Sequence, residues 1–102
     1  MVNIAILGFG TVGSGVAEVL TQNSGLIDGR VNNQVRLKYI MRARDIFEGP
    51  YKDLFVKDFS TIEHDPEVGI VVETIGGVGA ALDYTTRALK AGKSVVTANK
   101  EL

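Results

Sequence analysis

Val2-Asn3-Ile4-Ala5-Ile6-Leu7-Gly8-Phe9-Gly10-Thr11-Val12-Gly13 joins two hydrophobic patterns through three glycines. Val2 to Leu7 is an apolar, partly β-branched run closed by Gly8, which suits a central strand buried on both faces of a parallel sheet. From Thr11 onward Val12, Val16, Val19 and Leu20 recur at helical spacing, and Asn23-Ser24-Gly25 weakens or ends that helix. The order is strand, glycine turn, helix.

Downstream the same alternation continues. Residues 25 to 34, with Gly25, Gly29, Asn32 and Asn33, read as a helix tail and then a loop. Val35 to Met41 sets Val35, Leu37, Tyr39 and Met41 against Arg36, Lys38 and Ile40, the pattern of a strand with one better-buried face, nearer the sheet edge. Arg36 and Lys38 then form a solvated strand face. The stretch from Arg42 to Asp65 is polar and irregular, turns at Gly49-Pro50, and leaves room for a brief third strand among Leu54-Phe55-Val56 and Phe59 to Ile62. Gly69 to Ile75 is a buried strand ended by Gly76-Gly77. A helix with Leu82, Thr85 and Leu89 at helical spacing beside Ala81 and Ala88 follows, with Gly92 as its stop. Ser94 to Thr97 is the last strand.

Strands and helices alternating at this spacing predict an α/β fold: a Rossmann-type doubly wound parallel sheet in three α/β/α layers, since parallel neighbours need a right-handed crossover. In the common order the strand after the second crossover lies beside the first, so Gly8 and Gly76 face each other across a crevice.

Composition narrows the function. With 102 residues, 45% of them hydrophobic and 23% charged, one soluble domain with one core is expected. A net charge of -1 gives no overall attraction to nucleic acid or to an anionic membrane, so the expected partner is a small molecule. Cysteine is absent and His64 is the only histidine, which excludes disulfides and thiolate metal sites, leaves no metal site in prospect, and makes a reducing cytoplasm the simplest setting. No apolar run is long enough to span a bilayer, and residues 1 to 8 lack a secretory pattern.

Gly8, Gly10 and Gly13 between strand and helix meet the context that the dinucleotide fingerprint requires. Gly8 permits the tight turn, Gly10 lets the backbone approach a pyrophosphate, and Gly13 allows close helix packing. Thr11 and Val12 supply free amides to the anion. The competing reading is a glycine turn that holds no ligand. The fingerprint usually carries an acidic residue about 20 positions on, for the adenosine ribose. Here Arg42 stands at the end of the second strand, and the interval is longer. A planar guanidinium suits phosphate, so Arg42 and Arg44 favour a 2'-phosphate and hence NADP over NAD, with Asp45 near for a ribose hydroxyl. The alternative is an ordinary solvated loop.

Val71-Val72-Glu73-Thr74-Ile75-Gly76-Gly77, with Ala88 to Lys93 running into Ser94-Val95-Val96-Thr97-Ala98-Asn99-Lys100, closely resembles the homoserine dehydrogenase family, in register with Gly8 to Gly13. The loop around residues 24 to 34 and the stretch 42 to 65 resemble it less. The resemblance implies NAD(P)-linked interconversion of L-homoserine and L-aspartate 4-semialdehyde, on the way to threonine, methionine and isoleucine. It also implies a separate substrate domain through which the intact enzyme forms a homodimer, so that residues 1 to 102 are the NAD(P)-binding domain of a larger enzyme and do not turn over alone. The lysine matching Lys100 then stands beside the nicotinamide and takes part in proton transfer, alone or with a second lysine that this sequence lacks. Thr74, Gly76, Thr97 and Asn99 match positions lining the nicotinamide side.

Independently of the family, a lysine at the carboxyl end of a strand beside the crevice can receive an alcohol proton if its pKa is lowered. Its plain alternative is a frayed terminal cation. Glu73, inside an apolar strand, needs a hydrogen bond or a place at the strand's mouth. His64 reads as a surface loop residue rather than a general base, since no triad partner accompanies it. Two other functions compete: a stand-alone dinucleotide-binding regulatory module, and another oxidoreductase of the aspartate-semialdehyde or sugar dehydrogenase groups. The Asn99-Lys100 pair argues against the latter.

Overall fold

The first strand of the chain lies at the centre of a five-stranded sheet. A computed structural model describes residues 2–22, 35–42, 49, 51–75 and 79–98. Its elements are β1 (Val2–Leu7), α1 (Thr11–Gln22), β2 (Val35–Met41), a 3-10 turn (Lys52–Leu54), β3 (Phe55–Val56), α2 (Phe59–Glu63), β4 (Val68–Glu73), α3 (Gly79–Lys90) and β5 (Ser94–Thr97). Every pairing is parallel. The chain runs outward from β1 to β3, returns to lay β4 on the other side of β1, and continues outward to β5. The switch in direction falls between the carboxyl ends of β1 and β4, where ligands of such sheets lie.

β1 takes the centre because it is apolar on both faces. Ala5 and Leu7 pack with Met41, Phe59, Ile62, Val71 and Ala88, on the side of α2 and α3. Ile6 packs with Ala17, Ile40 and Phe55, on the side of α1. These two clusters on opposite faces of one sheet make the expected three layers. The brief third strand is Phe55–Val56, beside Ile40 and Met41. The short helix after it is capped by Asp58, whose side chain accepts from the Ser60 amide at 3.0 Å.

Both long helices meet the sheet on their small residues. In α1, Gly13 and Ala17 are buried, Val16 and Leu20 flank them, and Val12 and Val19 remain more than half exposed. In α3, Ala81 and Ala88 are buried and Tyr84 packs beside them, whereas Leu82 and Leu89 point outward. Small side chains let the backbone approach the sheet closely, so larger neighbours one position away are carried off the contact line. α3 stops as Gly92 predicts. With φ +83°, Gly92 lets its own amide reach Leu89 O at 3.0 Å and the Lys93 amide reach Ala88 O at 3.0 Å, the two bonds of a Schellman motif.

β2 departs from strict alternation. Its register against β1 shifts between Ile4 and Ala5, which pair with Leu37 and Tyr39 and pass over Lys38. This irregularity places Leu37 against the α1-side cluster while Tyr39 and Met41 join the other, so the predicted face Val35-Leu37-Tyr39-Met41 is split in two. Ile40, assigned to the poorer face, is fully buried. Lys38 is corrected as well, because it is held by ion pairs to Asp65 Oδ2 at 2.6 Å and Glu67 Oε2 at 3.2 Å rather than solvated. Arg36 is half-buried and donates to Val35 O.

Asp65 joins the elements at the amino end of the sheet. Oδ2 accepts from Lys38 Nζ and from the Tyr39 hydroxyl at 2.7 Å, Oδ1 accepts from the Glu67 amide at 2.9 Å, and the carbonyl accepts from the buried Lys93 Nζ at 2.7 Å. The Lys38 ammonium, followed by the Tyr39 hydroxyl, pulls the Asp65 carboxyl from its ordinary 3.8 down to about 2. A depressed carboxyl contributes stability that is complete above its unfolded pKa and disappears as pH falls through the folded one. Asp65→Asn should therefore lower unfolding free energy by about 1–2 kcal/mol at pH 7, after allowance for solvent screening. Urea melts of this chain from pH 6 to pH 2 should show the gap between wild type and variant closing below about pH 4. A pH-independent gap would contradict this role.

Candidate functional site

The crevice begins with a steric constraint inside the glycine turn. A Cβ on Gly13 would lie 2.4 Å from the Gly8 carbonyl oxygen, so no other residue lets α1 sit this close to the end of β1. Gly8 has φ +96°, and a Cβ there would lie 2.9 Å from Thr74 Oγ1. Gly10 differs from both. Nothing lies within 4 Å of a Cβ placed on it, so the packing of the described residues does not demand glycine at that position. The open space beside Gly10 is where a pyrophosphate would need the backbone bare.

α1 starts at Thr11, and its first intrahelical bond is Ser14 N to Gly10 O at 2.9 Å. The amides of Thr11, Val12 and Gly13 therefore have no acceptor within the helix. The first turn carries no acidic residue, so no carboxylate within it offsets the positive end of the helix dipole. Such an end receives an anion.

Backbone bonds hold the strand ends around this turn. The Gly8 amide donates to Met41 O at 2.9 Å, the Arg42 amide to Val56 O at 2.8 Å, and the Thr74 amide to Leu7 O at 3.0 Å. Thr74 Oγ1 also donates to Leu7 O at 2.7 Å, so Thr74 fixes the edge of the crevice. A cavity of about 500 Å³ opens here, lined by Gly8, Phe9, Gly10, Met41, Arg42, Ile75, Ala80 and Tyr84.

Arg42 stands where the sequence places it, at the end of β2. Its guanidinium carbon lies 5.7 Å from the Phe9 ring centroid and 5.4 Å from that of Phe55. Phe9 in turn meets Phe55 and Tyr51 edge to face. The glycine motif assigns Phe9 no role, yet its ring stacks against this cation. Tyr84, packed on Phe59 at 4.9 Å, forms part of the opposite wall and was also missed, because its position on α3 gives no motif signal.

Glu73 ends β4. It is fully buried, and Oε2 accepts from Thr97 Oγ1 at 2.6 Å, so the carboxylate is both hydrogen-bonded and at the strand's mouth. Thr97, the last residue of β5, thus belongs to the same end of the sheet as Gly8, Thr74 and Arg42. His64 lies far from this chemistry in role: its side chain is 77% exposed at the end of α2. Arg44, Asp45, Gly76, Gly77, Asn99 and Lys100 lie outside the described residues, as does the loop 25 to 34.

The model of the family described as "Homoserine dehydrogenase, NAD binding domain" matches residues 8–102. The chain belongs to this family. It is 41% identical over 106 residues to a homoserine dehydrogenase of Lactococcus lactis subsp. lactis, with 99% of this chain aligned to 25% of that protein. It is 43% identical over 105 residues to that of Corynebacterium glutamicum, with 99% of this chain and 23% of the relative covered. Among solved structures, the S. aureus homoserine dehydrogenase at pH 7.0 superposes with a TM-score of 0.88 at 36% identity, over 99% of this chain and 26% of that one. The Thiobacillus denitrificans enzyme gives 0.86 at 33% identity, over 99% and 24%. The chain spans about a quarter of the length of these curated relatives. Membership in a nicotinamide-dinucleotide-binding family accords with the strand, glycine turn and helix read from the sequence, and it sets aside the other dehydrogenase groups.

The three glycines make distinguishable predictions. Gly13→Ala should destabilise the chain by about 2–4 kcal/mol, since backbone must move to admit the methyl group. Gly10→Ala should change stability by less than about 1 kcal/mol. Denaturant unfolding of the two variants checks this, and equal losses would mean that Gly13 is not the tight contact.

Proposed function

We propose that this chain is the dinucleotide-holding domain of a homoserine dehydrogenase, and that the intact enzyme interconverts L-homoserine and L-aspartate 4-semialdehyde with NAD(P). The observation that carries the reading is the open helix start of α1 beside the bare Gly10, at the same end of the sheet as Thr97, which precedes Ala98-Asn99-Lys100 in the sequence. The residues fit the cofactor. The amides of Thr11, Val12 and Gly13 would take the diphosphate, Phe9 and Tyr84 would wall the adenosine side, and Thr74 and Thr97 would edge the nicotinamide side, with Gly76 and Asn99.

When bound, the nicotinamide ring supplies the hydride acceptor for oxidation of a primary alcohol to an aldehyde. The protein's share is to hold the alcohol and move its proton. Lys100 Nζ, in its neutral form, accepts the hydroxyl proton in oxidation and returns it in reduction. A substrate domain, beyond these 102 residues, would lower the lysine pKa, hold the amino acid and form the homodimer. Synthesis of threonine, methionine and isoleucine in the cytoplasm is the setting proposed, and the cysteine-free sequence suits it.

Arg42 favours NADP. A guanidinium held by two aromatic rings at the end of β2 is pre-oriented for a 2'-phosphate, with Arg44 as a second cation. Titration of this chain with NADPH and NADH tests the domain directly. Arg42→Ala should weaken NADPH about tenfold or more, as for loss of one charged hydrogen bond, and NADH by less than about threefold. In the intact enzyme, Lys100→Met should cost about 10²–10⁴ in kcat for homoserine oxidation. Equal weakening of the two dinucleotides removes the NADP assignment, and full activity of Lys100→Met removes the proton role.

A further inference from the structure

Glu73 carries more polar capacity than the fold requires. It is the last residue of β4, fully buried, with Leu7 beside it on β1 and Thr97 beside it on β5. Burying a carboxylate is costly unless its oxygens are satisfied, and an apolar side chain of similar volume is often as stable or more so at such a position. Glu73 Oε1 is buried with no hydrogen-bond partner among the described residues, so packing alone does not account for the acid.

What Glu73 does hold is the end of β5, by two bonds. Its Oε2 accepts from Thr97 Oγ1 at 2.6 Å, and its backbone carbonyl accepts from the Ala98 amide at 3.0 Å. Thr97 and Ala98 are the residues immediately before Asn99-Lys100. The same carboxylate is sealed from solvent, which bars it from touching substrate. We infer that Glu73 is a positioning residue: through the Thr97 hydroxyl it fixes the end of β5, the point from which the sequence leads into Asn99-Lys100. The inference rests on the role proposed above for Lys100, and small displacements of a reacting group are known to cost large factors in rate.

The test uses the intact enzyme and four variants, read by melting temperature, kcat, KM and amide hydrogen exchange at Ala98. Glu73→Leu deletes the acceptor and keeps the volume; it should melt at or above the wild-type temperature, lose about tenfold or more in kcat, leave both KM values within about twofold, and exchange Ala98 about tenfold faster. Glu73→Gln retains a carbonyl acceptor for the Thr97 hydroxyl and should recover kcat to within about threefold, with Ala98 protected. Thr97→Val removes the same bond from an exposed residue, which guards against misfolding of the buried variant, and should reproduce the loss in kcat. The Glu73→Leu/Thr97→Val double variant should be no slower than the slower single one, because both delete one interaction.

A lower melting temperature with wild-type kcat and wild-type Ala98 exchange would make Glu73 merely structural and overturn the inference. So would strictly additive losses in the double variant. The exchange measurement needs no turnover. If the wild-type enzyme failed to oxidise homoserine with either dinucleotide, the proposed function would fall, while unchanged Ala98 exchange in Glu73→Leu would separately refute the positioning.

Discussion

The close approach of Gly13 to the Gly8 carbonyl governs the geometry of the crevice, because it seats the first helix directly on the end of the central strand. With α1 in that place, its unpaired amides open onto the space beside Gly10 rather than onto another part of the protein. The neighbouring strand ends are then secured to one another without using those amides. Leu7 O takes both the Thr74 amide and the Thr74 hydroxyl, and Met41 O takes the Gly8 amide. Backbone bonds thus set the frame of the crevice, and Phe9, Met41, Arg42, Ile75 and Tyr84 line it.

The two ends of the sheet divide polar work differently. At the amino end, Asp65, Lys38, Tyr39 and Lys93 satisfy each other, and the result is cohesion of β2, β4 and the turns around them. At the carboxyl end, polar groups are held in place but only partly satisfied: the start of α1 lacks intrahelical acceptors, and Glu73 Oε1 lacks a donor among the described residues. The open amides at the start of α1 are the part of this unmet capacity that an anion can meet.

Much of this was legible beforehand, and the reasons are local. β1 and the Gly8-Gly10-Gly13 turn could be read because burial on both faces and a required close approach leave little freedom in residue type. Ser94–Thr97 and the stop at Gly92 were equally direct. Helix faces were harder, since Val12, Val19, Leu82 and Leu89 are as apolar as core residues, yet the contact line runs through Gly13, Ala17, Ala81 and Ala88. The irregularity at Lys38 was invisible to an alternating pattern, and it shifted Leu37 to the other side of the sheet from Tyr39. Asp65, Phe9 and the Glu73–Thr97 bond depend on residues brought together from distant parts of the chain, so no spacing rule could announce them.

On the function proposed above, the amides opening α1 receive the diphosphate of a nicotinamide dinucleotide. Nitrogen-15 NMR of this chain during titration with NADPH reads those amides one by one. The Thr11, Val12 and Gly13 resonances should move most, together with Gly10, and saturate with the same dissociation constant. Saturable binding that leaves these four signals in place while shifting another face of the domain would contradict it.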